Sequence, residues 1–354
     1  MRKGIKITIF AVISLILVAV LLHLCSLVLR PKYMSQPLEG ALIAEYYGEV
    51  DKGRQHQVLF VGDCEVYESF VPPLLWEEYG ITSYIRGSAQ QLIWQSYYLL
   101  EETFRYESPK VVVFNVLSMK YGEPQKEEYN RMTLDGMRNS PVKHQAILAS
   151  MTKEENIASY YFPILRYHSR WKDLTAEDFE YMFKRDTVSH NGYLMQTGIR
   201  PMEKSFAEQE AEAINKIYDP DLPATAFEYL DKMKELCKQN GAELILIKTP
   251  TNSSTYWWYD EWDAQIAGYA EQNGLDYYNF IENEAIGIDW QTDTYDRGLH
   301  LNVYGAEKLT KHFGELLVSE YGLESQQSDG SVSSVWKTKT EQYYKQKEEM
   351  ERGQ

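Results

Sequence analysis

The stretch that decides the fold is Gln57-Val58-Leu59-Phe60-Val61-Gly62-Asp63-Cys64-Glu65. Its apolar residues run without alternating polar positions, which is typical of a strand buried on both faces of a parallel sheet. Gly62 and Asp63 then predict a sharp turn at the carboxyl end of this strand. Open α/β sheets bind their ligands beyond the carboxyl ends of the strands, so we expect Cys64 to lie where a nucleophile would be placed.

Four further strands are predicted, and together with 57–62 they alternate with helices: 81–85, 110–117, 243–248 and 275–280. The last two strands each follow a helix that ends in Asn-Gly, at Gly241 and Gly274, and glycine accommodates the left-handed backbone after a helix. Strand–helix–strand repeats require parallel pairing. The chain is therefore predicted to contain a three-layer α/β domain with a parallel sheet.

A polar stretch far downstream supplies the groups that a thiol nucleophile needs: Asp296-Arg297-Gly298-Leu299-His300-Leu301-Asn302. A thiol must lose its proton to a base, and a carboxylate must orient the base. His300 is the candidate base and Asp296 the candidate carboxylate. Asn302 is a good N-cap for the amphipathic helix that follows. The sequence thus predicts that Cys64, His300 and Asp296 meet as a catalytic triad.

These two stretches resemble the blocks of a known family. Gly62-Asp63-Cys64 is similar to the Gly-Asp-Ser block of the SGNH/GDSL hydrolases, and the loop with Asp296 and His300 resembles their terminal Asp…His block. The resemblance implies a flavodoxin-like three-layer domain and ester chemistry without a cofactor, with a thiol in place of the family's serine hydroxyl. The family spacing is Asp-x-x-His, whereas Asp296 precedes His300 by four positions. Either the loop bulges at Gly298, or Asp293 orients the histidine instead.

The same resemblance implies an oxyanion hole, which holds the negative oxygen of a tetrahedral intermediate. Its donors would be the backbone N–H groups of Cys64 and Gly87 and the side chain of Asn115. Asn115 lies within its predicted strand, so a structural hydrogen bond is the alternative role for this side chain.

The N-terminal segment predicts a membrane anchor. Residues 7–29 are almost all apolar, and about 20 such residues cross a bilayer as a helix. Basic residues precede the segment at Arg2, Lys3 and Lys6, and it has no Ala-x-Ala-like cleavage site. We therefore expect an uncleaved, single-pass signal anchor in the cell membrane, with the catalytic domain outside the cytoplasm. With this anchor the chain is similar to the membrane-tethered D-alanyl transfer family of teichoic acid modification.

The predicted domain plan has four parts: 1–32 with the anchor, a linker at 33–56, the α/β domain at 57–323, and a polar tail at 324–354. Residues 119–224 interrupt the α/β pattern and are predicted to form a mostly helical insertion over the carboxyl edge of the sheet. The tail lacks apolar periodicity and is predicted to be largely disordered, with a helix near Glu341–Glu349 as the alternative. Within the α/β domain, Val71-Pro72-Pro73 is predicted to bar a regular helix, and Ser88 to open one through a capping box.

The composition excludes several classes of function. The net charge is −16, which argues against a nucleic-acid partner. The sequence has no glycine-rich phosphate loop and no Cys/His cluster at metal-ligand spacing, so neither a cofactor nor a metal site is predicted. Of the three cysteines, Cys25 lies in the apolar segment. Cys237 keeps helical spacing with core residues, which indicates an inert thiol.

Two functions fit these predictions. The first is an extracytoplasmic acyl-ester hydrolase or O-acyltransferase on a cell-surface glycan or polymer, which would receive its acyl group from a membrane-embedded donor protein. The alternative is a non-catalytic glycan-binding or scaffold protein of a cell-envelope modification complex. Trp257 and Trp258 are candidate contacts for sugar rings, and Arg170 for an anionic or glycan substrate. A third hypothesis, a redox-sensing thiol, would need a disulfide between Cys64 and Cys237.

Overall fold

The computed structural model describes residues 2–31, 40–184, 186–281 and 284–353. The strands are β1 Val58–Gly62, β2 Ser83–Gly87, β3 Val111–Asn115, β4 Glu243–Lys248 and β5 Asp276–Asn279. They form one parallel sheet in the order β2-β1-β3-β4-β5. The predicted parallel sheet is therefore confirmed, and each strand begins and ends within two residues of its expected position.

The helices supply the outer layers of the fold. In chain order they are α1 Arg2–Leu29, α2 Ala41–Val50, α3 Cys64–Tyr67, α4 Pro72–Tyr79, α5 Ile93–Thr103, α6 Glu127–Leu134, α7 Pro141–Ser150, α8 Ala158–Tyr161, α9 Ile164–Tyr167, α10 Ala176–Glu180, α11 Phe206–Ile214, α12 Ala224–Asn240, α13 Asp260–Asn273, α14 Val303–Ser319 and α15 Gly330–Arg352. Short 3-10 turns lie at Val116–Lys120, His168–Lys172 and Glu284–Ile286. Helices α6 to α11 fall within residues 119–224, where the helical insertion is predicted.

Both faces of the sheet are buried, because apolar side chains alternate along the strands between two helical layers. From β1, Val58 and Phe60 pack in one layer with α4, α14 and α15. Leu59 and Val61 pack in the other layer with α2, α5, α12 and α13. Every residue of β1 is buried, as its uninterrupted apolar sequence predicts. The predicted three-layer α/β architecture is confirmed.

The strand order reverses direction at β1. This strand pairs with β2 on one side and with β3 on the other, so the sheet grows both ways from it. In doubly wound sheets the ligand crevice lies outside the carboxyl ends of the strands at such a switch point. The chain reaches Cys64 immediately after this end of β1, so the topology places the thiol at the edge where chemistry is expected.

Two predictions about helix starts are wrong. Pro72 and Pro73 begin α4 instead of barring it, because the first turn of a helix tolerates a residue without an N–H donor. The helix expected to open at Ser88 begins at Ile93. The Ser88 hydroxyl instead hydrogen-bonds the Thr133 hydroxyl of the insertion at 2.6 Å. A local capping pattern was thus overridden by a tertiary contact.

The C-terminal tail is helical, and the prediction of disorder is wrong. The helix α15 packs on α4, where the ring of Trp336 stacks on Trp76 with centroids 5.7 Å apart. Tyr343 is buried and donates to Glu307 of α14 at 2.6 Å. The otherwise polar helix α15 is held in place mainly by Trp336 and Tyr343. Two apolar contacts are too few to produce a periodic pattern in the sequence.

Part of the predicted linker also belongs to the core. Residues 32–39 lie outside the described residues, but α2 is buried beside β2, with Leu42 and Tyr46 among its buried side chains. The Tyr46 hydroxyl donates to Glu107 at 2.7 Å. The α/β domain therefore includes α2, and its predicted start at residue 57 is wrong.

The helix α1 stands apart from the sheet. Its residues 4–29 form the one helix in the described part of the chain that is long and apolar enough to cross a membrane. Most of its side chains are exposed, and burial is confined to its last turn, around Ser26 and Leu29. There it packs against α9, α10 and the turn His168–Lys172.

Candidate active site

The turn after β1 is built to present Cys64. Gly62 has a φ of 153°, and a Cβ at this position would lie 2.6 Å from Cγ2 of Val66, so only glycine fits. Asp63 caps α3 and accepts a hydrogen bond from the backbone N–H of Glu65 at 3.2 Å. Cys64 is the first residue of α3 and is 6% exposed. The thiol is therefore fixed in place and almost closed off from solvent.

The downstream loop brings a carboxylate to the imidazole. His300 Nδ1 lies 2.6 Å from one carboxylate oxygen of Asp296, and the backbone N–H of His300 donates to the other at 2.8 Å. Arg297 and Gly298 both have left-handed backbones, with φ of 69° and 94°. This is the bulge at Gly298 that the unusual spacing requires. It lets Asp296 reach His300 although one more residue separates them than in the family's block.

Asp293 does not orient the imidazole. It is buried and accepts hydrogen bonds from Lys308 Nζ at 2.6 Å and from the backbone N–H of Asp289 at 2.7 Å. The alternative that assigned Asp293 to His300 is therefore wrong, and Asp293 instead holds α14 against the loop.

The thiol and the imidazole lie next to each other and change each other's proton affinity. Burial and the Asp63 carboxylate raise the pKa of the Cys64 thiol, against the lowering effect of His300. Burial lowers the pKa of His300, but the hydrogen bond to Asp296 and the charges of Cys64 and Glu68 outweigh it and raise this pKa to about 12. Nε2 of His300 is buried and has no regular hydrogen-bond partner among the described residues. The raised pKa means that the ring keeps its proton at neutral pH, so His300 lies beside the thiol as an imidazolium.

Sequence reasoning missed a second carboxylate beside the histidine. Glu68 lies 3.6 Å from His300 Nδ1 and accepts a hydrogen bond from the Tyr295 hydroxyl at 3.0 Å. Burial raises the pKa of Glu68 to about 7, although His300 and Tyr295 act in the opposite direction. Its spacing was the available signal, since Glu68 follows Cys64 by four positions and α3 brings residues at that spacing together. We call Cys64, Glu68, Asp296 and His300 the His300 cluster.

Tyr256 was also missed, and it covers the thiol. Its hydroxyl lies 3.5 Å from Cys64 Sγ, and its ring meets the His300 ring edge-on with centroids 5.5 Å apart. Lys120 Nζ lies over the same ring, 5.0 Å from its centroid. Tyr256 directly precedes the predicted sugar contacts at Trp257 and Trp258, and this was its only sequence signal.

A buried charge cluster lies on the other side of the same turn. Glu65 accepts two hydrogen bonds from Lys248 Nζ, each 2.8 Å long, and one from the Thr249 hydroxyl at 2.8 Å. Asn115 donates to Glu65 at 2.9 Å and to Asp63 at 3.2 Å. Burial and the Glu65 charge raise the pKa of Asp63 to about 6. We call Asp63, Glu65, Asn115, Lys248 and Thr249 the Glu65 cluster.

Asn115 is therefore not available as an oxyanion donor. Its amide has two N–H groups, and the carboxylates of Asp63 and Glu65 engage both. The structural alternative for Asn115 describes its observed role, and the oxyanion assignment of this side chain is wrong. Gly87 pairs in register with Gly62 at the end of β1, so its backbone lies at the same edge of the sheet as Cys64.

The predicted substrate contacts are separated by the fold. Arg170 donates to the backbone oxygen of Leu29 at 2.7 Å and to Asp178 at 3.1 Å, so it binds the end of α1 and does not reach Cys64's turn. Trp257 and Trp258 line a cavity of about 440 Å³. Trp258 is buried and donates to Asp263 at 3.2 Å, which leaves Trp257 as the remaining candidate contact.

A larger cavity, of about 1130 Å³, lies between α2, residues 186–191 and α15 and is lined by none of the predicted catalytic residues.

The thiols do not pair. Cys64 and Cys237 are both free, and they belong to the core layers on opposite faces of the sheet. Cys237 is buried, and burial raises the pKa of its thiol to about 12, as suits an inert core residue. The redox hypothesis therefore loses its resolving cysteine.

In the described part of the chain, no group of three or more His, Cys, Asp or Glu side chains could hold a metal ion.

Comparison with known proteins gives only a weak likeness. No family model matches the chain, and no curated protein matches it significantly. A solved structure described as an acylhydrolase from Bacteroides fragilis is similar at 14% identity, with a TM-score of 0.37, over 77% of this chain and 93% of that one. A GDSL-like lipase from Bacteroides thetaiotaomicron is similar at 14% identity and a TM-score of 0.36, over 77% and 97% of the two chains. At these scores the likeness assigns no family, and the case for a function depends on the geometry around Cys64.

Proposed function

We propose that this chain is a membrane-anchored enzyme of the SGNH/GDSL type that hydrolyses or transfers an acyl ester on a cell-surface glycan or polymer. The observation that carries the proposal is the meeting of Cys64 with His300 and Asp296, which lie more than two hundred residues downstream. Nucleophile, base and orienting carboxylate in this order are the parts that acyl transfer needs. Their position at the switch point of the sheet agrees with this role.

The chemistry follows from the proton affinities of the site. The reacting form is the ion pair in which His300 Nε2 holds the thiol proton and Asp296 stabilises the imidazolium. The Cys64 thiolate then attacks the acyl carbonyl through Sγ. The tetrahedral intermediate collapses to a thioester, and the leaving alkoxide takes the proton from His300. Water then attacks the thioester in a hydrolase, or a glycan hydroxyl attacks it in a transferase. His300 accepts the proton of the attacking group and returns it to the departing Cys64 thiolate.

The oxyanion of the intermediate would be held by the backbone N–H groups of Cys64 and Gly87 and by the Tyr256 hydroxyl in place of Asn115. The support for Tyr256 is its position 3.5 Å from Sγ, where a reacting carbonyl must come. One oxyanion donor contributes about 3–4 kcal/mol to transition-state stabilisation. We expect Tyr256→Phe to slow acylation of Cys64 by roughly 10²- to 10³-fold with little change in stability. An unchanged or faster rate in Tyr256→Phe would show that the hydroxyl only covers the thiol.

The helix α1 supports the location of the enzyme. A transmembrane anchor would keep the catalytic domain at the extracytoplasmic surface of the cell membrane, close to a membrane-embedded protein that donates acyl groups. The length and apolar sequence of α1 fit this role. The anchor favours transfer over hydrolysis, because a free hydrolase has no need of a membrane-bound donor.

Trapping of the acyl-enzyme tests the proposal. The full-length protein is incubated with p-nitrophenyl acetate, and peptides are mapped by mass spectrometry. We expect one acetyl group on Cys64, which disappears in His300→Ala and persists in the matched control Cys237→Ala. Equal labelling of Cys64 in the wild type and in His300→Ala would show that the histidine is not the base.

A non-catalytic function is the second candidate, and the closure of the site favours it. Cys64 is almost buried, Tyr256 lies over the thiol, and burial raises the thiol pKa. In that case the protein would bind a glycan or serve as a scaffold in a cell-envelope modification complex, and no ester would label Cys64. Glycan binding that survives in Cys64→Ala, together with the absence of labelling by any activated ester, would identify this function.

A further inference from the structure

We infer that residues 158–183 lie in the headgroup layer of the bilayer that α1 crosses, so that the domain is seated on the lipid surface and does not swing freely from its anchor. We call these residues the interfacial segment; they comprise α8, α9, the turn His168–Lys172 and α10. The inference depends on the part of the proposed function that makes α1 a transmembrane helix. It does not depend on the chemistry of Cys64.

The length of exposed helix sets the depth of α1. From Ile5 to Leu24 its side chains are exposed, apart from the half-buried Ser14. Twenty residues of helix span about 30 Å, which is the thickness of the hydrocarbon core of a bilayer. The boundary of the hydrocarbon therefore falls near Leu24, one turn before the end of α1.

The interfacial segment is attached to the helix at this boundary. The buried last turn of α1 packs against α9, α10 and the 3-10 turn of the segment. Arg170 fixes the contact by donating to the backbone oxygen of Leu29 at 2.7 Å. A segment held against residues 25–30 lies within a few ångströms of the hydrocarbon edge, which is the depth of the lipid headgroups.

The segment exposes large apolar side chains at that depth. Five of its side chains are between 52% and 79% exposed: Phe162, Leu165, Trp171, Phe179 and Phe183. Exposed apolar side chains that cluster together indicate an interaction surface. Aromatic residues are enriched where proteins meet the headgroup layer, because their rings are apolar with a polar edge.

The segment itself carries little net charge. It contains three basic residues, Arg166, Arg170 and Lys172, and four acidic ones, Asp173, Glu177, Asp178 and Glu180, which gives a net charge of −1. The whole chain carries −16.

The experiment measures the depth of single side chains in the full-length protein. Cys25 and Cys64 are replaced by alanine, and Phe183→Cys, Trp171→Cys or Phe162→Cys is labelled with a nitroxide in phosphatidylcholine vesicles that contain no other protein. Collision with oxygen, which partitions into lipid, is compared with collision with a water-soluble nickel chelate. The matched control is Ile217→Cys, a fully exposed apolar position outside the segment.

We expect the oxygen-to-nickel ratio at positions 162, 171 and 183 to exceed that at 217 several-fold. A ratio equal to that at 217 would overturn the inference. Exclusion of both reagents from these positions would also overturn it, because a second protein surface and not lipid would then cover them. A nitroxide at Leu21→Cys tests separately whether α1 crosses the bilayer. If position 21 were accessible to nickel, α1 would not enter the bilayer, and the proposed anchor itself would be wrong. Acylation of Cys64 is measured on the wild type, so loss of the proposed chemistry would be seen independently.

Discussion

The turn at residues 63–68 lies between two polar clusters that differ in how completely their hydrogen bonds are formed. In the Glu65 cluster, Glu65 accepts four hydrogen bonds from Lys248, Thr249 and Asn115. In the His300 cluster, the contact of His300 with the Cys64 thiol lacks the geometry of a regular hydrogen bond, and Nε2 has no other partner among the described residues. A completed buried network rigidifies the backbone around it, whereas a looser contact leaves the two side chains free to exchange a proton. Under the proposed function, the Glu65 cluster positions the turn and the His300 cluster transfers the proton.

The largest effect is expected from the carboxylate of the His300 cluster. Asp296→Asn keeps a side chain of the same shape but removes the charge that orients and stabilises the imidazolium. We expect acylation of Cys64 by p-nitrophenyl acetate to slow by roughly 10³- to 10⁴-fold, as for the orienting carboxylate of other triads. Stopped-flow release of p-nitrophenolate measures the rate.

The neighbouring Asp293→Asn is the matched control. Asp293 is bound to Lys308 and not to the imidazole, so this substitution should lower stability and leave the acylation rate within about threefold of the wild type. Comparable rates in Asp296→Asn and Asp293→Asn would remove Asp296 from the mechanism.

The next effect concerns stability and the Glu65 cluster. Lys248→Met leaves the Glu65 carboxylate buried without its cation, because both side chains are almost fully buried. Breaking a buried ion pair from one side costs about 3–5 kcal/mol. The free energy of unfolding in urea, measured on the full chain in detergent, should fall by that amount.

Lys311→Met provides the comparison for this measurement. The ion pair of Lys311 with Glu78 is exposed, and exposed pairs contribute about 0–1 kcal/mol. If Lys248→Met lost no more stability than Lys311→Met, the Glu65 cluster would not be what holds the turn.

The sequence predicted the positions of Cys64 and His300 but not the side chains that surround them. Strand β1 and the loop to His300 carry strong local signals, an unbroken apolar run and a polar loop before an amphipathic helix. Glu68, Tyr256 and the engagement of Asn115 depend on which side chains meet across the sheet, and no local pattern encodes that. The full extent of the helix α15 was missed for a related reason, since the partners of Trp336 and Tyr343 lie more than thirty residues away along the chain.

The buried carboxyl groups of Glu68 and Asp63 should make the stability of the protein depend on pH. Burial raises the pKa of Glu68 to about 7 and that of Asp63 to about 6, above the usual values of 4.5 and 3.8. Between the usual and the raised pKa the folded state keeps a proton that the unfolded state has lost, so stability falls as the pH rises through this window. For Glu68 the loss between pH 4.5 and 7 is about 3 kcal/mol.

Urea unfolding from pH 4.5 to 8 measures this slope. Glu68→Gln should make the slope shallower, because glutamine does not titrate while Asp63 and His300 still do. The exposed control Glu315→Gln should keep the wild-type slope. A Glu68→Gln variant with the full wild-type slope would show that Glu68 is not buried as a carboxyl group.

The smallest effect concerns the reactivity of the thiol, and it asks whether Glu68 belongs functionally to the His300 cluster. The Glu68 carboxylate raises the pKa of Cys64, because a nearby negative charge disfavours the thiolate, and His300 lowers it. Glu68→Gln should therefore move the pH profile of Cys64 alkylation by iodoacetamide to lower pH, by up to about one pH unit, or tenfold in rate at fixed pH. His300→Ala should move the same profile to higher pH, because the imidazolium that favours the thiolate is lost.

Peptide mapping separates Cys64 from Cys25 and Cys237 in each sample. Opposite shifts would show that the two side chains act on the thiol through their charges, whereas shifts in the same direction would mean that both substitutions merely loosen the packing around Cys64.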